Sequence, residues 1–193
     1  MGFKYLLFGR NVRFVIYIYF ILMAAMGAIY VVLVVFIQET LHSMTKDVGL
    51  FGLFLCIGLL LGSYFYGRVG QKFPRDKAIF ISLITGGIFI GLFAILLKLT
   101  ASFFIGAVFI FFVGVAISPV MISGTTIIHE SIDEKMRGRI FSYIGITMNM
   151  GLLLFMFIAS TLAEFISRMW ILVAAGVLFS VCGLIGLGLA GKR

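Results

Sequence analysis

Six long runs without a charged side chain divide the chain, and short segments rich in charge separate them. A helix needs about 20 residues to cross the roughly 30 Å hydrocarbon core of a bilayer, and each run reaches that length. Backbone N–H and C=O groups in lipid must be paired inside the protein, so each run predicts one transmembrane helix. The predicted spans are residues 14–37, 48–67, 78–97, 99–128, 140–163 and 169–191.

The predicted fold class is therefore an all-α integral membrane protein with six transmembrane helices, which form one domain of residues 14–193. The spans divide near residue 99 into two groups of three. Because three is odd, the two groups cross the membrane in opposite directions, which is the arrangement of a 3+3 inverted repeat. The halves show no convincing residue-level similarity, so the predicted repeat depends on the number of spans.

Residues 1–13 precede the first span and mix Lys4, Arg10 and Arg13 with apolar side chains. This pattern is typical of a short amphipathic helix that lies in the inner headgroup region. It is equally typical of a lead-in whose basic side chains anchor the first span. Both interpretations stay open.

The basic residues predict the orientation of the bundle. With six spans, both termini lie on the same side, and that side carries all of the 15 Lys and Arg residues except Lys46, Lys98 and Arg168. Loops rich in Lys and Arg face the cytoplasm. We therefore expect both termini to be cytoplasmic, in a plasma membrane that corresponds to a bacterial inner membrane.

The composition agrees with a membrane protein, because 63% of the residues are hydrophobic and only 11% are charged. Soluble domains carry about 25% charged residues. The net charge of +8 raises the question of nucleic-acid binding. However, the basic residues lie in the gaps between apolar runs, and no groove-reading or base-stacking module is visible. The lipid bilayer is therefore the expected partner of this surface, and nucleic acid is not.

Small residues and one proline predict how the helices pack. Gly58 with Gly62, and Gly87 with Gly91, have the GxxxG spacing that lets helix backbones approach closely. Packing within the chain is favoured over a dimer contact. Pro119 lies midway along the fourth run and predicts a kink, which makes it a candidate hinge.

The predicted spans contain no Asp, Glu, Lys or Arg, whereas such charges usually mark proton relays and ion sites. Glu130 lies at the inner end of the fourth span and is expected to pair with an arginine. Asn149 is the main polar residue of the fifth span, where an interhelical hydrogen bond is favoured over a substrate contact. The chain has no set of acid, base, nucleophile and metal ligands, so neither an enzyme nor a cofactor is expected.

One charged segment resembles a loop signature of the major facilitator superfamily, G-xxx-D-R-x-G-R-R. It is residues 63–72, SYFYGRVGQK, in which Arg68, Gly70 and Lys72 carry the similarity. Ser63 and Gly67 stand where the signature has its first Gly and its Asp. The carboxylate that would complete a charge-relay gate is therefore missing.

A second segment, HESIDEKMRGRIFS at residues 129–142, is similar to the segment before the eleventh span in the macrolide-efflux and siderophore-exporter branch of that superfamily. Glu130, Arg137, Gly138 and Arg139 fit this similarity. The resemblance implies that these residues and the first segment belong to a cytoplasmic gate.

The resemblance covers the whole chain and is to spans seven to twelve, the C-terminal half of such a transporter. It implies two six-helix lobes that bind a small-molecule substrate between them and expose it to each side of the membrane in turn. The first and fourth spans would line the path. Tyr30, Ser118 and Ser123 are therefore candidate substrate contacts, with Asn149 as a further candidate.

One lobe supplies only one wall of a path, so we expect a second six-helix lobe, which is either a separate chain or a second copy of this one. A truncated transporter is a third alternative. The function predicted first is transmembrane transport of a small organic molecule, as an efflux protein. The alternative is a membrane interaction or assembly protein built on a degenerate half, as the missing loop Asp and the absence of deep charge suggest.

Overall fold

The computed structural model describes residues 10–41, 45–70, 74–131 and 134–190. Within these ranges the chain forms six helices and no β-strand. The helices are α1 (Arg10–Leu41), α2 (Thr45–Val69), α3 (Arg75–Thr100), α4 (Phe103–Ser131), α5 (Glu134–Phe165) and α6 (Arg168–Ala190). Each contains a stretch long and apolar enough to cross a membrane. The predicted all-α membrane fold with six spanning helices is confirmed.

The boundary between the third and fourth spans differs from the prediction. The prediction began the fourth span at Leu99, directly after the charge of Lys98, but α3 continues to Thr100. It ends because Ala101 adopts a left-handed conformation with φ of 46°, and its N–H donates to Leu97 O at 2.9 Å. A lysine in a last turn can extend its ammonium group toward water, so Lys98 did not have to end the helix.

The segment of residues 1–13 is described only from Arg10 onward. Arg10–Arg13 form the first turn of α1 rather than a separate helix. Residues 1–9 lie outside the described ranges, so the choice between an interfacial helix and a simple lead-in stays a prediction.

The most extensive helix contacts join α3 with α6, α2 with α4, α1 with α5, and α3 with α4. In a 3+3 repeat, α1 corresponds to α4, α2 to α5 and α3 to α6. If each helix is replaced by its counterpart, the α2–α4 contact becomes the α1–α5 contact. The same exchange turns α3–α4 into α1–α6 and leaves α3–α6 and α1–α4 unchanged. All of these pairs are in contact. The packing therefore has the symmetry of a 3+3 inverted repeat.

Glycines mark the same symmetry at the tightest crossings. A Cβ atom added at Gly58 of α2 would lie 2.1 Å from Phe111 O of α4. Its counterpart Gly151 of α5 lies against Phe20 of α1, in a looser contact where an added Cβ would lie 3.0 Å from the Phe20 ring and 3.2 Å from Phe20 O. Backbones can come this close only where no side chain intervenes. The Gly58–Gly62 pair thus packs within the chain, as predicted.

The α3–α6 crossing is formed by two glycines that face each other. An added Cβ at Gly87 would lie 2.3 Å from Gly176 O, and one at Gly176 would lie 2.5 Å from Gly87 O. Gly91 of the same predicted motif has nothing within 4 Å of an added Cβ. Only one of the two glycines in this GxxxG pair is therefore part of a close contact.

Helices α2 and α5 are the least buried. Only 17% of the most apolar 18-residue stretch of α2 and 11% of that of α5 is buried, against 33% to 50% in the other four helices. Each of these two helices packs mainly on one neighbour, α4 and α1 respectively. Both therefore present wide apolar faces to the outside of the bundle.

Candidate functional site

A cavity of about 300 Å³ lies between α1, α2 and α4, with α3 and α6 behind it. One face of α1 forms much of its wall, with Leu22, Met26, Ile29, Leu33 and Ile37 recurring at helical spacing. The volume is at the lower end of the roughly 300–1,000 Å³ of typical small-molecule sites. We call it the apolar cavity.

Tyr30 is the one residue with a polar side-chain group among the described residues that line the apolar cavity. Its side chain is 64% exposed, and no hydrogen bond joins its hydroxyl to another described residue. Tyr30 was one of the predicted substrate contacts, and the structure places it in the cavity wall.

One end of the bundle carries Arg13, Arg68, Arg75 and Lys77, and we call it the basic end. The apolar cavity extends toward it along α4. Its wall reaches Met121 on α4. There the Tyr19 hydroxyl of α1 donates to Met121 O at 3.2 Å and lies 3.2 Å from Thr125 Oγ1. An added Cβ at Gly124 would lie 2.6 Å from the Tyr19 hydroxyl oxygen. Because Gly124 has no side chain, the Tyr19 ring can pack against α4, and α1 and α4 meet between the cavity and the basic end.

Ser118 does not line the apolar cavity. Its side chain is 1% exposed, and its hydroxyl donates to Val115 O at 3.0 Å. Pro119 has no N–H, so Val115 O lacks the partner that residue i+4 normally supplies. Ser118 supplies that partner. Helix α4 continues through Pro119, and the role of Pro119 as a hinge stays a prediction.

Ser123 lies in a separate recess of about 380 Å³ near the basic end, lined by Tyr66, Gly67, Gly70, Arg75, Ile122, Ser123 and Thr126. The hydroxyls of Tyr66 and Ser123 are 2.7 Å apart and share a hydrogen bond between α2 and α4. We call this the polar recess. The structure thus separates Ser123 from Tyr30, although both were predicted to contact substrate.

Two residues of the first loop signature have structural partners at the basic end. The guanidinium carbon of Arg68 lies 4.8 Å from the centre of the Tyr64 ring, a cation–π contact. An added Cβ at Gly70 would lie 2.3 Å from the ring of Tyr66, so glycine is needed for that ring to reach Ser123. Lys72 lies outside the described ranges.

Glu130 forms a salt bridge with Arg75, which joins the end of α4 to the start of α3. The expectation that Glu130 pairs with an arginine is confirmed. Both side chains are partly exposed, at 58% for Glu130 and 43% for Arg75. The backbone at Arg137, Gly138 and Arg139 is helical and lies in the first two turns of α5. Nothing is described of the Arg137 and Arg139 side chains, so their part in a gate stays a prediction.

A second salt bridge joins Glu39, near the end of α1, to Arg168, the first residue of α6, with 2.5 Å between Arg168 Nη1 and Glu39 Oε1. The exchange of α1 with α4 and α3 with α6 relates this bridge to the Glu130–Arg75 bridge. The first bridge therefore ties the end of α4 to the start of α3, and the second ties the end of α1 to the start of α6 at the opposite end of the bundle. Glu39, Arg168 and Arg75 were not among the predicted site residues, since their partners lie far away in the chain.

Asn149 is exposed on α5 and does not line the apolar cavity or the polar recess. No hydrogen bond joins its side chain to another described residue, so the interhelical bond that the sequence favoured is not formed. The burial of a polar residue depends on which face of α5 turns inward. The sequence of a helix that is apolar on all sides does not reveal that face.

The family model for the Major Facilitator Superfamily matches residues 15–192. The chain has no match among curated proteins and none among solved structures. The matched region includes all six membrane-spanning stretches, the apolar cavity and both salt bridges. The chain therefore belongs to the major facilitator superfamily, and its role is that of a transporter-type membrane protein.

Proposed function

We propose that this protein transports a small, largely apolar organic molecule out of the cell by alternating access, with the apolar cavity as part of its substrate site. The observation that carries the proposal is the wall of that cavity. It has no charged residue among those described and a single hydroxyl, on Tyr30. A charged ligand would lose its hydration in such a wall without a counter-charge. An uncharged or amphipathic molecule with one hydrogen-bonding group fits it better.

The path is completed by a second six-helix lobe. Two features support this step: the Tyr30 side chain is exposed, and α2 and α5 have wide apolar faces. No other helix of this chain covers these surfaces, so a partner can pack on them. A second lobe that covers Tyr30 and the exposed faces of α2 and α5 would enclose the cavity and exclude water or lipid from the bound molecule. The excess of basic residues at one end favours cytoplasmic termini and a plasma-membrane location. The segment at residues 129–142 favours the macrolide-efflux and siderophore-exporter branch.

Two glycines of α2 allow a matched test. Gly52 lines the apolar cavity, whereas Gly49 does not, and an added Cβ meets nothing within 4 Å at either position. Gly52→Phe should therefore fill the cavity without displacing backbone. Gly49→Phe places the same ring outside it.

The measurement is binding and efflux of a series of neutral and amphipathic fluorescent dyes, in vesicles and in cells that express the full protein. Tyr30→Phe should weaken only those dyes that carry a hydrogen-bonding group, by about threefold to tenfold, the equivalent of one hydrogen bond. Gly52→Phe should reduce binding of all cavity ligands by at least about tenfold, and Gly49→Phe should leave it near the wild-type value. Equal behaviour of the two phenylalanine variants would contradict the assignment of the cavity.

A further inference from the structure

Helices α2 and α3 follow each other in the chain but hardly touch, and both pack on α4 instead. Between them lies an open cavity of about 580 Å³. Its floor is Val115 and Pro119 of α4, and its sides include Phe65 and Val69 of α2 and Ile81 of α3. We call it the α2–α3 crevice. It is distinct from the apolar cavity, which shares none of these lining residues.

The crevice runs from the basic end into the bundle. Its α2 side extends from Gly62 to Gly70, about 12 Å at 1.5 Å per residue. The side chains of Phe65, Val69 and Ile81 are 62%, 54% and 51% exposed. In a spanning bundle such side chains face hydrocarbon, so an acyl chain can fill the crevice without burying a polar group.

A cation stands at the mouth of the crevice. Lys77 lines it, in the first turn of α3, and no ion pair or hydrogen bond joins its ammonium group to another described residue. The neighbouring Asp76 does not line the crevice. The polar recess adjoins at Tyr66 and Gly70, which line both cavities. In that recess Arg75 is paired with Glu130, and the Thr126 hydroxyl donates to Ile122 O at 2.8 Å. Lys77 is therefore the cation of the crevice wall that has no partner among the described residues.

From this arrangement we propose that the α2–α3 crevice binds an anionic phospholipid of the leaflet at the basic end. One acyl chain lies along Phe65, Val69 and Ile81, and the phosphate lies at Lys77 with the rest of the headgroup toward the polar recess. Basic pockets between spanning helices are suited to anionic headgroups. A zwitterionic lipid would fill the same apolar groove but would bring its own cation close to Lys77.

The inverted repeat supplies an internal comparison. Arg75 at the start of α3 and Arg168 at the start of α6 occupy corresponding positions, because each forms the salt bridge of its half. Lys77 lies two residues after Arg75, so its counterpart in α6 is Trp170, two residues after Arg168. Trp170 is 60% exposed at the opposite end, where its ring suits either leaflet interface irrespective of lipid charge. The proposed preference for an anionic headgroup is therefore confined to the basic end.

The test is native mass spectrometry of the purified full chain with phosphatidylglycerol or phosphatidylcholine of the same acyl chains. Phosphatidylglycerol should bind at least about fivefold more tightly. Lys77→Gln should reduce its binding to that of phosphatidylcholine. Lys98→Gln, which removes an exposed lysine from the other end of α3, should leave the preference unchanged.

A second pair of variants tests the acyl-chain groove. Val69→Trp places a larger ring in the crevice and should reduce binding of both lipids. Leu60→Trp is the control, because Leu60 is exposed on the same helix and lines none of the cavities described above. Circular dichroism of each variant should remain that of the wild type, so that loss of lipid reports on the crevice.

Three outcomes would overturn the proposal. Equal affinity for the two lipids would remove the role of Lys77, and equal loss in Lys77→Gln and Lys98→Gln would indicate a general charge effect. Displacement of phosphatidylglycerol by millimolar inorganic phosphate would indicate a free-anion site instead of a lipid site. None of these outcomes depends on the dye experiments that test the apolar cavity.

Discussion

At the residue scale, Ser118 and Pro119 form a compensating pair in the middle of α4. The proline leaves Val115 O without an amide donor, and the Ser118 hydroxyl donates to that oxygen at 3.0 Å. Gly62 of α2 crosses at this point, where an added Cβ would lie 2.4 Å from Ser118 Oγ. The serine is therefore a packing and hydrogen-bonding residue, although its position in a cavity-lining span predicted a substrate contact.

Ser118→Ala should destabilise the protein by about 1 kcal/mol, because it leaves a buried carbonyl without its donor. Ser142→Ala is the control, since Ser142 Oγ also donates to a carbonyl, Gly138 O at 3.0 Å, but is exposed. Unfolding in mixed detergent micelles measures both. The Ser118 effect should shrink in a Pro119→Ala background, where the amide donor is restored; an unchanged effect would contradict this account.

Ala101 is the one described residue other than glycine with a positive φ, at 46°. A left-handed conformation costs an alanine about 1 kcal/mol, and glycine pays less of this strain. Ala101→Gly should therefore stabilise the α3–α4 junction by up to about 1 kcal/mol. Ala101→Val should destabilise it, because a β-branched side chain tolerates this region poorly. Thermal unfolding of the two variants should shift in opposite directions, and shifts in the same direction would contradict the prediction.

At the element scale, the two salt bridges tie the ends of the helices that line the apolar cavity. Glu130–Arg75 joins the end of α4 to the start of α3, and Glu39–Arg168 joins the end of α1 to the start of α6. Exposed bridges contribute little to overall stability. Their effect should instead be local, through the last turn of α4 and of α1.

Glu130→Gln should increase hydrogen exchange in the last turn of α4 and leave the last turn of α1 unchanged. Glu39→Gln should do the reverse, so each variant is the control for the other. High salt should weaken both effects, because it screens exposed charges. The exchanged pair Arg75→Glu with Glu130→Arg should restore protection. A rise in exchange at both ends after either single change would show that the two bridges are not independent.

At the scale of the whole molecule, glycine contacts hold together helices that are far apart in sequence. The crossing of α3 and α6 depends on Gly87 and Gly176, whose backbones would collide with any added side chain. Helix α4 packs on α3, and α1 packs on α6, so this contact joins the two halves of the bundle.

Gly87→Ala should destabilise the bundle by about 1–3 kcal/mol, the usual effect of overpacking a close contact. Gly91→Ala, one helical turn away in the same GxxxG pair, meets nothing within 4 Å. It should be neutral or stabilising by up to about 1 kcal/mol, because alanine favours helix over glycine. Unfolding in detergent measures both variants. Similar losses at the two positions would mean that the helix itself, rather than its contact with α6, is sensitive.

The sequence predicted much of the fold, because the length of an apolar run is a local property that can be compared with the thickness of a bilayer. It also predicted that Glu130 pairs with an arginine and that Gly58 and Gly62 pack inside the chain. It predicted the boundary at Leu99 wrongly, because one exposed lysine does not end a helix. For Ser118 and Asn149, a helix that is apolar on nearly every face gives no periodicity to show which side turns inward.

By itself, the sequence determined that six helices span a membrane, since each charged or apolar residue bears directly on whether its own segment can enter lipid. The tertiary structure decided which partners meet: Arg75 with Glu130, Gly87 with Gly176, and Tyr66 with Ser123. It also revealed a repeat that pairs glycines and salt bridges across the two halves without evident similarity in sequence. These features depend on how closely the backbones of distant segments approach each other. Such a contact requires two surfaces to fit in shape, and it leaves no pattern among residues that are neighbours in the sequence.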